Sequence, residues 1–193
     1  MVQPAPATPP PSPPARPGDL LAELTQRYGT DDPFTLMESE TDNRHPENAL
    51  KVYELSSPEV QRSPRGMILR MRALQAADRT GYENFLLSQN IDDAEFNLAK
   101  AFYFVSSGQP DKGRLFYEKA MKVPGRFMNS VALEQRRMLC RAEVAMAAYA
   151  AAPSGTTKKE AMDSWYEIKL RLQDKPTHKL YQRADAEIRN LSD

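Results

Sequence analysis

The sequence predicts an all-α fold of stacked antiparallel helical hairpins closed by a C-terminal capping helix, and three observations carry that prediction. Prolines beyond residue 17 recur at Asp32-Pro33, His45-Pro46, Ser57-Pro58, Ser63-Pro64, Gln109-Pro110 and Lys175-Pro176. These read as first helical positions, where a missing N–H costs nothing. β-Branched residues are sparse and never alternate with polar ones over a strand length, so a sheet is not expected. Finally, a small residue, an aromatic four later and a small residue seven later recur as Ala49/Tyr53/Ser56, Gly81/Phe85/Ser88 and Gly113/Tyr117/Ala120, each 32 residues from the last. Positions 0, +4 and +7 share one helical stripe, on which small residues let two axes approach and the ring fills the gap. A hairpin built this way cannot bury its apolar face alone; stacked neighbours bury it.

Eight of the 16 prolines fall in residues 1–17, among Ala, Ser and Thr. That stretch holds too little apolar surface to offset the entropy of ordering, and it reads as an extended, disordered arm or linker. Pro11, Pro14 and Arg16 fit a PxxPxR pattern that aromatic grooves read, although so proline-rich a tract produces such spacings by composition. Helices are expected over residues 19–28, 46–57, 64–77, 80–90, 92–106, 110–122, 127–151, 157–173 and 176–191. Residues 30–45 are too polar and proline-interrupted to predict a regular helix. The helix over 176–191 carries Leu180, Tyr181, Ala184 and Ile188 on one side and polar residues on the other, as a terminal unit facing water requires.

Composition narrows the function classes. With 26 Lys+Arg against 26 Asp+Glu, the chain has a formal net charge of zero, which argues against a nucleic-acid or anionic-membrane binder acting through bulk charge. One Cys forms no internal disulfide, and two His with one Cys supply no zinc cluster. No stretch approaches 18 apolar residues, so direct membrane insertion is not expected. There is no signal-peptide pattern at the start. A chain complete at Met1 is expected to be cytoplasmic; as a piece of a longer chain, its arm would hang a soluble domain from an upstream anchor.

The best-formed unit runs from Asp92 to Pro124, DDAEFNLAKAFYFVSSGQPDKGRLFYEKAMKVP. Leu98, Ala99 and Phe102 mark its first helix, Ser107 and Gly108 a turn, and Gly113, Tyr117, Ala120 and Pro124 its second helix and close. This unit resembles the tetratricopeptide repeat family, with about two extra residues between the helices. Residues 18–57 and 58–91 match by their second helices alone. After Pro124 the phase is open: Ala145, Tyr149 and Ala152 keep the 32-residue register, whereas Ala161, Trp165 and Ile168 repeat the spacing on the next helix. The resemblance implies a right-handed superhelix, an α-solenoid of three to four units, whose concave groove takes a peptide or partner helix.

Asp93, Phe96, Lys100 and Tyr103 form one stripe of the best unit's first helix, roughly opposite Leu98 and Phe102. By the resemblance that stripe lines the groove, with Phe96, Tyr103 and Phe104 supplying area and Lys100 a charge; packing against neighbouring units would explain the same aromatics. Arg62, Arg65 and Arg72, and separately Arg136, Arg137 and Arg141, cluster on helical faces that could grip an acidic peptide or simply meet solvent. Arg70 and Arg137 complete the candidate partner-binding set. His45 and His178 have no sequence-near nucleophile, Cys140 reads as a small core residue, and Asp31-Asp32 and Asp92-Asp93 as helix caps. No phosphate-loop, dinucleotide, zinc-protease or calcium-loop pattern occurs.

The sequence thus favours a non-enzymatic protein–protein interaction module that holds a partner segment, either a peptide or a helix of another subunit. No cofactor, metal, nucleic acid or small-molecule ligand is expected. The alternatives are a chaperone for one secreted or membrane-assembly client, a permanent structural subunit tethered by its arm and, ranked last, an all-α enzyme.

Overall fold

In the computed structural model, which describes residues 17–192, eleven helices follow one another and no strand is present among the described residues. The predicted arm, with its Pro11, Pro14 and Arg16 pattern, lies outside the described residues except for Pro17, which opens the first helix. The helices are α1 (Pro17–Tyr28), α2 (Pro33–Asp42), α3 (Pro46–Leu55), α4 (Pro58–Arg62), α5 (Pro64–Ala77), α6 (Arg79–Ser88), α7 (Ala94–Ser106), α8 (Pro110–Lys122), α9 (Ser130–Ala151), α10 (Gly155–Arg171) and α11 (Lys179–Ser192). Among the described residues, none is long and apolar enough to cross a membrane.

Local chemistry explains the starts. Pro33, Pro46, Pro58, Pro64 and Pro110 each open a helix, as expected. Asp32, Ser63, Asp78 and Asn129 accept from the N–H of Thr35, Gly66, Gly81 and Val131, satisfying donors that the first turn leaves orphaned. Ser154 and Thr157 form a reciprocal capping box on α10. Pro176 departs from expectation: it lies in a turn, and α11 begins three residues later, after His178 Nδ1 accepts from the Leu180 N–H at 3.2 Å.

The second departure is α2, in a segment whose polarity argued against a helix. Leu36 and Met37 are buried, and so is Glu40, at 0% exposure. Glu40 accepts from Tyr28 Oη at 2.5 Å, Asn48 Nδ2 at 2.7 Å and Arg27 at 3.4 Å, binding α1, α2 and α3 through one carboxylate. A buried charge so well satisfied is tolerated inside, which a count of polar residues does not anticipate. The short α4 starts at Pro58, where a helix start was expected, yet it lies between the expected helices over 46–57 and 64–77; Ser57 caps it and Ser63, which ends it, caps α5.

Packing follows chain order. The pairs α2–α3, α5–α6, α7–α8 and α9–α10 each pack together, α5 lies on both α2 and α3, α9 lies on both α7 and α8, and α11 covers α10. Four apolar clusters run along the chain. The first joins α1, α2, α3 and α5, and the second joins α5, α6 and α7. The third joins α7, α8 and α9, and the last joins α9, α10 and α11. In the last cluster Ala161, Trp165 and Ile168 are fully buried, so α10 is the partner of the long α9.

Two glycines sit where no side chain fits. A Cβ on Gly113 would stand 2.6 Å from Val105 Cγ2, so the small position of that repeat brings α8 close to α7. A Cβ on Gly66 would stand 2.1 Å from the Val60 carbonyl oxygen, against backbone that cannot swing aside. Gly66→Ala is therefore expected to cost about 1–3 kcal/mol, as overpacking does, read as a lower denaturation midpoint at unchanged slope. A midpoint equal to the parent's would refute this close contact.

Candidate functional site

The aromatic stripe of α7 divides between core and surface. Phe96 is 0% exposed and meets Phe85 edge-on at 6.2 Å between ring centres. Asp93 is equally enclosed: its carboxylate accepts from the Glu95 N–H at 2.8 Å and the Arg126 N–H at 3.0 Å, fastening the α8–α9 connection to the start of α7. Lys100 is 8% exposed. Its Nζ donates to the Gln89 carbonyl at 2.7 Å, just past the end of α6, and lies 5.1 Å from the ring centres of both Phe96 and Phe116. Burial, with nearby Lys119, pulls its ammonium below the usual lysine range. Phe104 is buried and stacks on Phe116 at 5.3 Å, and Tyr103 remains half-buried beside it.

The arginines are similarly employed. Arg70 lies over Tyr53 and Phe85, at 4.9 and 5.3 Å from their ring centres. Arg137 donates to the carbonyls of Ala120 and Val123 at 3.0 and 3.2 Å, closing the C-terminal end of α8, and its Nε is buried without a hydrogen-bond partner. Arg65 pairs with Glu38, and Arg141 with Glu167. Arg72 reaches Glu95 through two 2.7 Å bonds and the Phe127 carbonyl through a third. Of the six candidate partner contacts, only Tyr103 lines the groove described next.

Two adjoining cavities, of about 490 and 640 Å³, share Gln75 of α5 and Phe102 of α7 and together form a groove. Tyr82 and Glu83 of α6 line one end with Tyr103, and Arg136 and Leu139 of α9 line the other with Leu180 and Arg183 of α11. Arg136 lies over the Phe102 ring, 5.9 Å from its centre. Burial raises the Tyr82 hydroxyl above the usual phenol range, an effect that Arg136 opposes. The two cavities' carboxylates are already paired: Glu83 with Arg79 at 3.0 Å, and Glu143 with Arg183. Arg136 has no carboxylate partner among the described residues. Sequence reading grouped Arg136 with Arg137 and Arg141 on a face that could grip an acidic peptide or simply meet solvent, and it placed Phe102 on the packed side, so it did not bring Phe102 and Arg136 together. The available signal was their pairing as a ring and a guanidinium on neighbouring helices, which appears only once α7 and α9 are packed.

Neither histidine has a nucleophile beside it in the hydrogen-bond network, and no cluster of three metal-ligating side chains occurs among the described residues. Cys140 is fully buried between α7, α8 and α9, and burial pushes its thiol up to about 12. Thiol reagents are therefore expected to leave the native protein unmodified at mildly alkaline pH and to label it on unfolding. Rapid native labelling would refute that environment. Comparison with family models, with curated proteins and with solved structures finds no match to this chain.

Proposed function

We propose that this chain is a non-enzymatic protein–protein interaction module that holds a segment of a partner protein in the groove between α5, α6, α7, α9 and α11. The observation that carries the reading is the groove itself: Phe102, Tyr82, Tyr103, Leu139 and Leu180 give it apolar and aromatic surface, while of its polar side chains Arg136 has no carboxylate partner among the described residues. An α-solenoid akin to tetratricopeptide repeats is the architecture we infer. It is supported by the succession α2–α3, α5–α6, α7–α8, α9–α10, by the stacking of α2 on α5 and of α7 on α9, and by the polar outer side of α11. In such an arrangement the first helices of the hairpins line the groove, and Gln75, Phe102 and Arg136 all belong to first helices.

Photo-crosslinking tests the reading. A crosslinking residue at Gln75, exposed in the groove, is expected to capture a partner in cells of the source organism that one at exposed Met121 on α8 does not. Phe102→Ala should lower the yield at Gln75. Equal capture from both positions would place the interface elsewhere.

A further inference from the structure

The groove is not electrically neutral once its internal pairs are set aside. Arg183 holds Glu143 and Arg79 holds Glu83, so these four lining side chains cancel within the wall. Left over are Arg136 and, at the rim, Lys179, neither with a carboxylate partner among the described residues. Arg136 is also half-buried, so it has given up part of its hydration without gaining an anion. Its guanidinium lies over the Phe102 ring, 5.9 Å from the ring centre, and its N–H groups have no carboxylate partner among the described residues, so they are available for a forked pair with a carboxylate. Leu139 and Leu180 line the same cavity and offer apolar surface.

Resting on the reading of the groove as a partner site, we propose that its occupant is an acidic segment of another protein, in which an Asp or Glu side chain pairs with Arg136 and an adjacent apolar side chain packs against Phe102, Leu139 and Leu180. Charge complementarity selects this occupant, because a basic or purely apolar segment would bury Arg136 without a counter-ion, at a cost that an unpaired charge does not recover. The pairing is ionic, so affinity falls with rising salt.

The test uses random peptides displayed on phage, selected on the full chain and on three variants, Arg136→Gln, Arg136→Glu and Phe102→Ala, each first shown to keep the parent's circular dichroism and melting temperature. The parent is expected to enrich peptides with Asp or Glu next to Leu or an aromatic. Arg136→Gln should weaken the best of them about tenfold or more, and Arg136→Glu should instead enrich Lys or Arg at the acidic position. Parent-selected peptides that lack acidic enrichment yet weaken on Phe102→Ala would overturn the acidic partner and leave the groove reading standing. Acidic peptides indifferent to both Arg136→Gln and Phe102→Ala would bind elsewhere and overturn both, as would a library from which nothing is enriched over an unrelated bait.

Discussion

Phe96→Ala is expected to lower the stability of this protein by about 3–5 kcal/mol, the range for removing a fully enclosed aromatic ring. The ring is sealed among Ile68 and Met71 of α5, Phe85 and Leu86 of α6, and Ile91 in the connection to α7, all of them buried. The same ring carries the buried Lys100 ammonium on its face, so truncation also removes a favourable seat for a charge that has no carboxylate partner. For a domain of this size the melting temperature should fall by roughly 6–20 °C. Urea unfolding followed by circular dichroism measures the first quantity and a thermal scan the second. A variant as stable as its parent that loses partner binding would return Phe96 to the surface role its spacing suggests.

A comparable loss, about 3–5 kcal/mol, is expected for Arg72→Met, by a different mechanism. Glu95, on the first turn of α7, is 1% exposed, and Arg72 of α5 is the guanidinium that compensates its charge. The two-pronged hydrogen bond to Glu95 is the leading reason the Arg72 pKa is raised further, burial acting against it. The same side chain also donates to the Phe127 carbonyl and reaches Glu38 of α2, so it ties α2, α5, α7 and the α8–α9 connection to one point. Removing it strands a carboxylate in the interior. The Arg72→Met, Glu95→Met double variant should recover a large part of the loss, because neither partner then remains charged and buried. A double-mutant cycle by urea unfolding measures this, and strictly additive losses would show that the two side chains do not depend on each other.

The helix boundaries were legible because their causes are local. A proline preceded by Asp, His, Ser or Gln opens five of the helices, and Gly108, at φ 72°, turns α7 into α8 where the sequence placed a turn. The recurring small and aromatic positions were legible in part: Ala49, Tyr53, Phe85, Gly113 and Ala120 are buried, whereas Ser56, Gly81 and Tyr117 are partly buried and Ser88 is exposed. What the sequence misjudged were segments whose polar residues turned out to have internal partners. Glu40 made α2 look too polar for a helix, and only the arrival of Tyr28 and Asn48 from neighbouring helices makes it a core residue.

The candidate site was misplaced for a related reason. Helix α7 is apolar on nearly every side, and nine of its thirteen residues are buried, so periodicity offers no single inward face. The stripe through Phe96 and Lys100 and the stripe through Leu98 and Phe102 are equally plausible linings when α7 is considered alone. The positions of α6, α8 and α9 choose between them, covering Phe96 and Lys100 and leaving Phe102 beside Arg136. Arg72, Arg136 and Arg137 illustrate the same division: three guanidiniums alike in sequence become a buried tie, an unpaired groove charge and a helix-end cap. The sequence by itself determined that this protein is helical and where most of its helices begin, because those features depend on contacts within a turn or two of chain. Which face of each helix stays open, and which charge is left without a partner, was decided by the tertiary structure, because burial and pairing depend on groups that the chain brings together from other helices and connections, as it does Arg72 and Glu95, 23 apart, and Arg72 and Phe127, 55 apart.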